Sequence, residues 1–192
     1  MSNPALVTID DRQYYYQELM AVADGDPNCI WLAQIIASWL VADGVLPDAL
    51  ALTEEQFASL LVRRFSGYSL NVKSAKGVPL DFNRMLEKQD LEQYLRQFAA
   101  YNSPDSEVLI AIIVAACLGN DHLWQDLGLW SRRDLSTLLQ HNFPRLAAAN
   151  SGDMKWKKFL YKQLCEAEGF YVCRAPSCDV CKDYSLCFGA ED

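Results

Sequence analysis

An uninterrupted apolar run, Val108-Leu-Ile-Ala-Ile-Ile-Val-Ala-Ala-Cys-Leu118, decides the fold of this 192-residue chain. The run is 11 residues long and carries no charge. A helix that spans a bilayer needs about 20 consecutive apolar residues, so this run is too short to cross a membrane. It predicts a helix buried in the centre of a globular domain, started by the cap and proline of Ser103-Pro104.

Helix signals recur on both sides of this central helix. Four features are typical of a helix start: Asp26-Pro27, Thr53 with Gln56 three residues later, Ser131, and Asp153. The apolar periodicity and these caps predict helices over 12–23, 29–42, 53–65, 82–100, 131–140, 144–149 and 154–168, with residues 66–81 as a long irregular loop. The second of these helices presents an apolar face made of Ile30, Trp31, Ile35, Trp39 and Leu40.

No segment shows the alternation of a β-strand, so the sequence predicts an all-α fold. We expect an irregular bundle of about six to eight helices with a C-terminal cysteine-rich, metal-binding loop. Residues 1–168 would form the helical domain, and residues 169–192 a cluster-binding segment of the same single domain.

Composition excludes several functions. A hydrophobic fraction of 51% rules out a largely disordered chain, and 17 basic against 25 acidic residues, net charge −8, argues against nucleic acid as a partner. No Walker A loop, G-x-G-x-x-G or G-x-S-x-G motif is present. The N-terminus lacks the basic and apolar regions of a secretory signal, so we expect a cytoplasmic protein whose seven cysteines are reduced.

The strongest functional signal is a cluster of four cysteines near the C-terminus. Cys173, Cys178, Cys181 and Cys187 form the pattern C-x4-C-x2-C-x5-C. Thiolates so close along the chain can converge on one ion or cluster, and they prefer zinc, Cu(I) or iron–sulfur clusters.

The spacing favours an iron–sulfur cluster over the alternatives. Its first three cysteines have the C-x4-C-x2-C spacing of plant-type ferredoxins. A structural zinc site remains open, although all four thiols lie in one short segment and not in two separated pairs. Cys165 could add a ligand or be a core thiol, whereas Cys29 and Cys117 lie in apolar helical patterns and are expected in the core.

Two further features accompany the cysteines. Lys155, Lys158 and Lys162 fall at i, i+3 and i+7, which predicts a basic helix face that could attract an oxyanion such as molybdate, contact an acidic partner or simply be solvated. His122, between Asp121 and a second acid at Asp126, is a second candidate ligand, although a single histidine is more often an ordinary side chain.

Several stretches resemble the NifQ family of nitrogen-fixation proteins. The similarity covers the C-terminal 70 or so residues closely, and the N-terminal part only in its helical character. It is carried by Asp121-His-Leu-Trp-Gln-Asp-Leu-Gly-Leu129, Phe143-Pro-Arg-Leu-Ala147, Met154-Lys-Trp-Lys-Lys-Phe159, Gln163-Leu-Cys-Glu166 and the four-cysteine motif.

This resemblance implies a molybdenum carrier for the iron–molybdenum cofactor of nitrogenase, and not an enzyme that turns over a substrate. It implies a 3Fe–4S type cluster on Cys173, Cys178, Cys181 and Cys187 that becomes a Mo–Fe–S cluster, and delivery of molybdenum to the NifEN scaffold with help from NifH. Two other functions stay open on the residues alone. These are a helical partner-binding module with a structural zinc site made of the four cysteines, and an electron carrier that keeps its cluster.

Overall fold

A computed structural model describes residues 11–70, 77–81, 87–100, 103, 105–167 and 184–188. These residues form ten α-helices and one 3-10 turn, and no strand occurs among them, so the all-α prediction is confirmed. The elements are α1 Asp11–Ala21, α2 Asn28–Leu40, the turn Asp48–Ala51, α3 Glu54–Arg64, α4 Lys88–Phe98, α5 Ser106–Ala116, α6 Leu123–Asp126, α7 Arg132–Asn142, α8 Pro144–Ala149, α9 Trp156–Ala167 and α10 Tyr184–Cys187. The count exceeds the predicted six to eight because α6 and α10 are single turns.

The central helix is α5. Of its residues from Val108 to Ala116, all except Ala111 are buried. The hydrophobic core that contains these α5 residues also includes residues of α2 such as Ile35 and Trp39. The buried helix predicted from the apolar run is therefore confirmed. None of the helices described here combines the length and the apolar character needed to cross a membrane.

Two of the predicted helix starts, those of α3 and α7, are confirmed by side-chain caps. Thr53 and Gln56 form a capping box at α3, with Thr53 Oγ1 accepting from the Gln56 N–H at 3.1 Å. Ser131 Oγ accepts from the Asp134 N–H at 3.1 Å and begins α7. Each cap satisfies a backbone donor that the first turn leaves without a helical partner.

Two details of the sequence-based prediction are wrong. Asp153 does not cap the last long helix: α9 begins three residues later, and Asp153 has a left-handed backbone with φ of +53° and pairs with Arg132. Ile30, assigned to the apolar face of α2, is 42% exposed. Residues 71–76 of the predicted loop and 82–86 of the predicted fourth helix lie outside the described residues.

A buried polar network joins four helices at the N-terminal end of α5. Asp105, which is fully buried, accepts hydrogen bonds from Arg63, Arg64 and the Asn28 side chain at 2.9 to 3.1 Å. Asn28 in turn exchanges hydrogen bonds with Asn142. A buried carboxylate is tolerated only when it is paired and hydrogen-bonded, and this network meets that requirement.

The same network extends to the surface through Asp24. The backbone N–H of Asp26 and the thiol of Cys29 donate to this carboxylate, and Arg64 pairs with it at 2.8 Å. These contacts lower the pKa of Asp24 from its ordinary 3.8 to about 2. A carboxyl group with a lowered pKa stabilises the fold above its unfolded pKa, and this stabilisation is lost as the pH falls towards the folded pKa.

We predict that Asp24→Asn lowers the free energy of unfolding by about 1 kcal/mol or less at neutral pH, because solvent screens a carboxylate that is 36% exposed. The deficit relative to the unsubstituted protein should shrink between pH about 4 and about 2, where Asp24 becomes protonated in both states. Urea unfolding at several pH values measures it. Asp43→Asn, which removes a surface carboxylate paired with Arg12, is the control. A deficit that stays constant with pH would contradict the assignment.

Candidate functional site

The structure divides the seven cysteines into two groups. Cys29 and Cys117 are buried, as predicted, and burial raises the pKa of the Cys29 thiol to about 11 and that of the Cys117 thiol to about 12. Both are therefore protonated core thiols. Cys165 on α9 and Cys187 on α10 are partly exposed. The other three cysteines of the motif, Cys173, Cys178 and Cys181, lie outside the described residues.

The last cysteine of the motif lies against the start of α9. The backbone N–H of Lys155 donates to the carbonyl oxygen of Cys187 at 2.8 Å, and the ammonium of Lys155 donates to the Ser185 carbonyl at 3.3 Å. Cys187 and Phe188 also pack against the apolar core. The C-terminal segment 185–188 is thereby held next to the lysine-rich end of α9.

A cavity of about 300 Å³ lies beside this contact. It brings together residues that the sequence analysis selected from separate stretches: His122 before α6, and Lys155 and Lys158 at the start of α9. Leu186, 60% exposed and adjacent to Cys187, forms part of its wall. The remaining lining residues are Asn120, Asp121, Leu123 and Lys157.

Lys162 lies apart from this group. It does not line the cavity, and its ammonium is 3.6 Å from Glu166 on the same helix. The predicted basic stripe is therefore split: its first two lysines are at the cavity, and the third forms an exposed i,i+4 ion pair. Within the described residues, no three His, Cys, Asp or Glu side chains are grouped to hold a metal ion, so the sequence prediction for His122 and Cys165 as ligands stays a prediction.

The sequence analysis missed Lys157, the residue that connects α9 to the cavity wall. Its ammonium forms an ion pair with Asp126 and donates to the Gly119 carbonyl at 2.9 Å. Asp126 is 1% exposed and also accepts from the Asp121 N–H at 3.1 Å. Burial raises the pKa of Asp126, and the ion pair with Lys157 opposes that rise. Lys157 does not fall at the i, i+3, i+7 positions of the basic face, so that pattern did not select it. The one sequence signal for this ion pair was Asp126, an acidic residue that needs a basic partner if it is buried.

Gly119 is required by the same contact. A Cβ at this position would overlap the carboxyl group of Asp126. The absence of a side chain lets the chain after α5 pass directly over Asp126. The segment that carries His122 is fixed to α9 through the Asp126–Lys157 ion pair and the hydrogen bond from Lys157 to the Gly119 carbonyl.

The electrostatics of the cavity favour an anion. Lys155 and Lys158 are positively charged, the charge of Lys157 is balanced by Asp126, and Asp121 is an acidic lining residue. The Lys155 ammonium has a neutral carbonyl as its described partner, so its charge is not cancelled there. The start of α9 adds the partial positive charge of a helix N-terminus. Although the protein has a net charge of −8, this cavity is locally basic and lies next to Cys187, a residue of a type that binds metals.

These features define a helical protein with a cysteine-bearing C-terminal segment docked beside a basic cavity. The family model of NifQ matches residues 31–189. The chain is 40% identical over 181 residues to Protein NifQ of Azotobacter vinelandii, which is 89% of this chain and 93% of that protein. This chain belongs to the NifQ family of nitrogen-fixation proteins, as the sequence resemblance indicated.

Other relatives match over shorter regions. Protein NifQ homolog of Sinorhizobium fredii is 38% identical over 74% of this chain and 62% of its own length. Protein NifQ of Klebsiella pneumoniae is 42% identical over 57% of this chain and 64% of its own length. No solved structure shows significant similarity to the chain.

We predict that Lys157→Met lowers the free energy of unfolding by about 3 kcal/mol at neutral pH, because it leaves the buried Asp126 carboxylate without its counter-charge. The loss should decrease as the pH is lowered, since the unpaired Asp126 then takes up a proton inside the folded protein. Chemical denaturation at several pH values measures both effects.

The matched control is Lys158→Met, which removes an exposed lysine one position along the same helix and should change stability by less than about 0.5 kcal/mol. Adding Asp126→Asn to Lys157→Met should restore part of the loss. Equal stabilities for the Lys157 and Lys158 variants would contradict the role given to the buried ion pair.

Proposed function

We propose that this protein is a molybdenum carrier for assembly of the iron–molybdenum cofactor of nitrogenase, holding an iron–sulfur cluster on its C-terminal cysteines. The observation that carries the proposal is the position of Cys187 beside a cavity lined by His122, Lys155 and Lys158, in a chain of the NifQ family. A thiol ligand for a soft metal and a basic cavity for an oxyanion are then neighbours.

The donor chemistry of the segment fits an iron–sulfur cluster. Cys187 is partly exposed and its backbone, not its side chain, makes the contact with Lys155. With Cys173, Cys178 and Cys181 it supplies four thiols, and thiolates are the usual protein ligands of iron–sulfur clusters. A 3Fe–4S cluster needs three thiolates and has a vacant corner at which molybdenum can be added, so the fourth cysteine is available to the incoming metal.

The cavity supplies the second part of the proposed function, the capture of molybdate. Lys155 and Lys158 would attract the doubly charged oxyanion, and His122 can donate a hydrogen bond to one of its oxygens. Leu186 forms part of the cavity wall and is next to Cys187 in the chain, so an oxyanion bound in the cavity would lie close to this cysteine. Cys165, on the same helix as the lysines, is kept as a further candidate ligand.

The proposed carrier passes molybdenum to the NifEN scaffold with help from NifH and does not turn over a substrate of its own. Exposed thiols of this kind stay reduced in the cytoplasm, which is the compartment we propose. These partners and this location follow from the family resemblance and from the thiol chemistry.

The first test is metal and sulfide analysis of protein purified without oxygen from cells supplied with molybdate. We expect iron, sulfide and molybdenum, and all three should be lost together from the variant Cys178→Ala/Cys181→Ala. The variant Cys29→Ala/Cys117→Ala, which removes two core thiols, is the control for the number of cysteines and should keep its iron.

Other outcomes decide between the alternatives. Zinc without iron or sulfide would overturn the carrier proposal in favour of a partner-binding module with a structural zinc site. A cluster that is reduced and oxidised reversibly, with no uptake or loss of molybdenum, would overturn it in favour of an electron carrier.

The two lysines at the cavity can be tested separately from the thiols. Lys155→Met/Lys158→Met should bind less molybdenum while keeping its iron and sulfide, because it removes the positive charge at the cavity but no thiol, and it keeps the backbone N–H of residue 155 that bonds to Cys187. Lys162→Met is the matched control, since that lysine pairs with Glu166 away from the cavity. Unchanged molybdenum in the double variant, or an equal loss in the control, would exclude the cavity as the site of capture.

A further inference from the structure

We propose that the loop formed by residues 150–155 is a preformed receptor for the segment Ser185–Phe188, and that Asn150, Arg132 and Phe188 are positioning residues that hold Cys187 in place as a metal ligand. The docking is seen directly in the contacts of described residues. Its role in ligand positioning rests on the function proposed above.

The receptor loop holds its shape through its own hydrogen bonds. The Asn150 side chain accepts from the Met154 N–H and donates to the Met154 carbonyl, both at 2.9 Å, and Asn150 is 8% exposed. Both bonds close the loop on itself, and neither involves the segment 185–188. These two hydrogen bonds of the loop therefore do not depend on the docked segment.

Arg132 secures the loop from outside. Its guanidinium donates to the Asp153 carbonyl at 3.0 Å and to the Asp153 carboxylate at 2.7 Å. This double contact stabilises the left-handed backbone of Asp153, a conformation that non-glycine residues seldom adopt. Met154 and Trp156, on either side of Lys155, are both buried, so the N–H of Lys155 is presented from a fixed backbone.

The docked segment makes contacts at three of its four residues. The Ser185 and Cys187 carbonyls accept from the Lys155 side chain and backbone respectively. Phe188 packs over Gly152, where an added Cβ would lie 3.4 Å from its ring, and it joins the edge of the apolar core. The two hydrogen bonds from Lys155 use main-chain carbonyls of the segment, so they leave the sulfur of the partly exposed Cys187 available to another ligand.

This docking restricts the conformational freedom of Cys187 relative to a cysteine on an unconstrained chain. Fixing one ligand before the metal arrives reduces the conformational entropy that assembly of the site must overcome. It also fixes the distance between that ligand and the cavity at His122, Lys155 and Lys158, because the same residue, Lys155, belongs to both.

Two kinds of variant distinguish loss of the ligand from loss of the docking. Cys187→Ser removes a ligand and keeps the docking, whereas Asn150→Ala, Arg132→Ala and Phe188→Ala keep every cysteine and weaken the docking. Asn150→Ala and Arg132→Ala act on the receptor loop. Phe188→Ala acts on the docked segment and leaves the hydrogen bonds of the loop intact, so it tests the docking even where a loop variant alters folding.

The experiment measures alkylation of each cysteine by iodoacetamide in the metal-free full chain, resolved by peptide mass spectrometry. The three docking variants should increase the rate at Cys187 by about fivefold, the factor expected for the loss of one hydrogen bond or equivalent contact of about 1 kcal/mol. Cys165, at the far end of α9, is the internal reference. The buried Cys29 and Cys117 report on folding, because they react only when the core opens.

Arg145→Ala is the matched control. This arginine also donates to a main-chain carbonyl, that of Gln97 on α4, and its removal should leave the rate at Cys187 unchanged. Rates at Cys187 that are equal in Phe188→Ala and the unsubstituted protein, with Cys29 and Cys117 protected in both, would overturn the docking inference.

A second measurement tests the positioning role. After reconstitution with ferrous iron and sulfide, Phe188→Ala should lose iron to a chelator several-fold faster than the unsubstituted protein, followed by its visible absorption. Faster alkylation with an unchanged rate of iron loss would overturn the positioning role. A chain that takes up no iron in any variant would overturn the proposed function, and the alkylation rates alone would then decide the docking.

Discussion

The burial of α5 is the constraint on which the rest of this structure depends. A helix that is apolar on almost every side must be enclosed by others, and polar groups can approach it only at its two ends. A buried carboxylate lies at each end. Asp105 precedes the first turn and is neutralised by arginines of α3, and Asp126, in contact with the chain just after the last turn, is neutralised by Lys157 of α9. These three ion pairs hold α3 and α9 against the two ends of the central helix.

The candidate site lies at one of these ends, and the two ends have different polar surroundings. At the N-terminal end, Asp105 pairs with two arginines and accepts from Asn28, which is itself hydrogen-bonded to Asn142. At the C-terminal end, the Asp126–Lys157 pair fixes the loop bearing His122 against α9, and Lys155 and Lys158 on either side of Lys157 remain directed to a cavity. The same ion pair thus stabilises the fold and places the candidate oxyanion site.

Local signals in the sequence were sufficient for the parts of the fold that depend on neighbouring residues. The caps at Thr53 and Ser131, the burial of α5 and the core position of Cys29 and Cys117 each follow from spacing within one helix. The cap predicted at Asp153 failed because a side chain from another helix, Arg132, takes that carboxylate. The pairing of Lys157 with Asp126 could not be predicted either, since it joins residues 31 positions apart along the chain.

The short range of charge interactions in salt solution explains how an acidic protein can have a cavity whose local charge favours an anion. Charges separated by more than about 10 Å are largely screened at 0.1 M ionic strength, so the net charge of −8 acts weakly on a molecule already at the cavity. The lysines at the start of α9 act within that distance, and the segment that carries Cys187 is attached to one of them. The local charge of the cavity, and not the net charge of the protein, therefore decides whether an anion is favoured there.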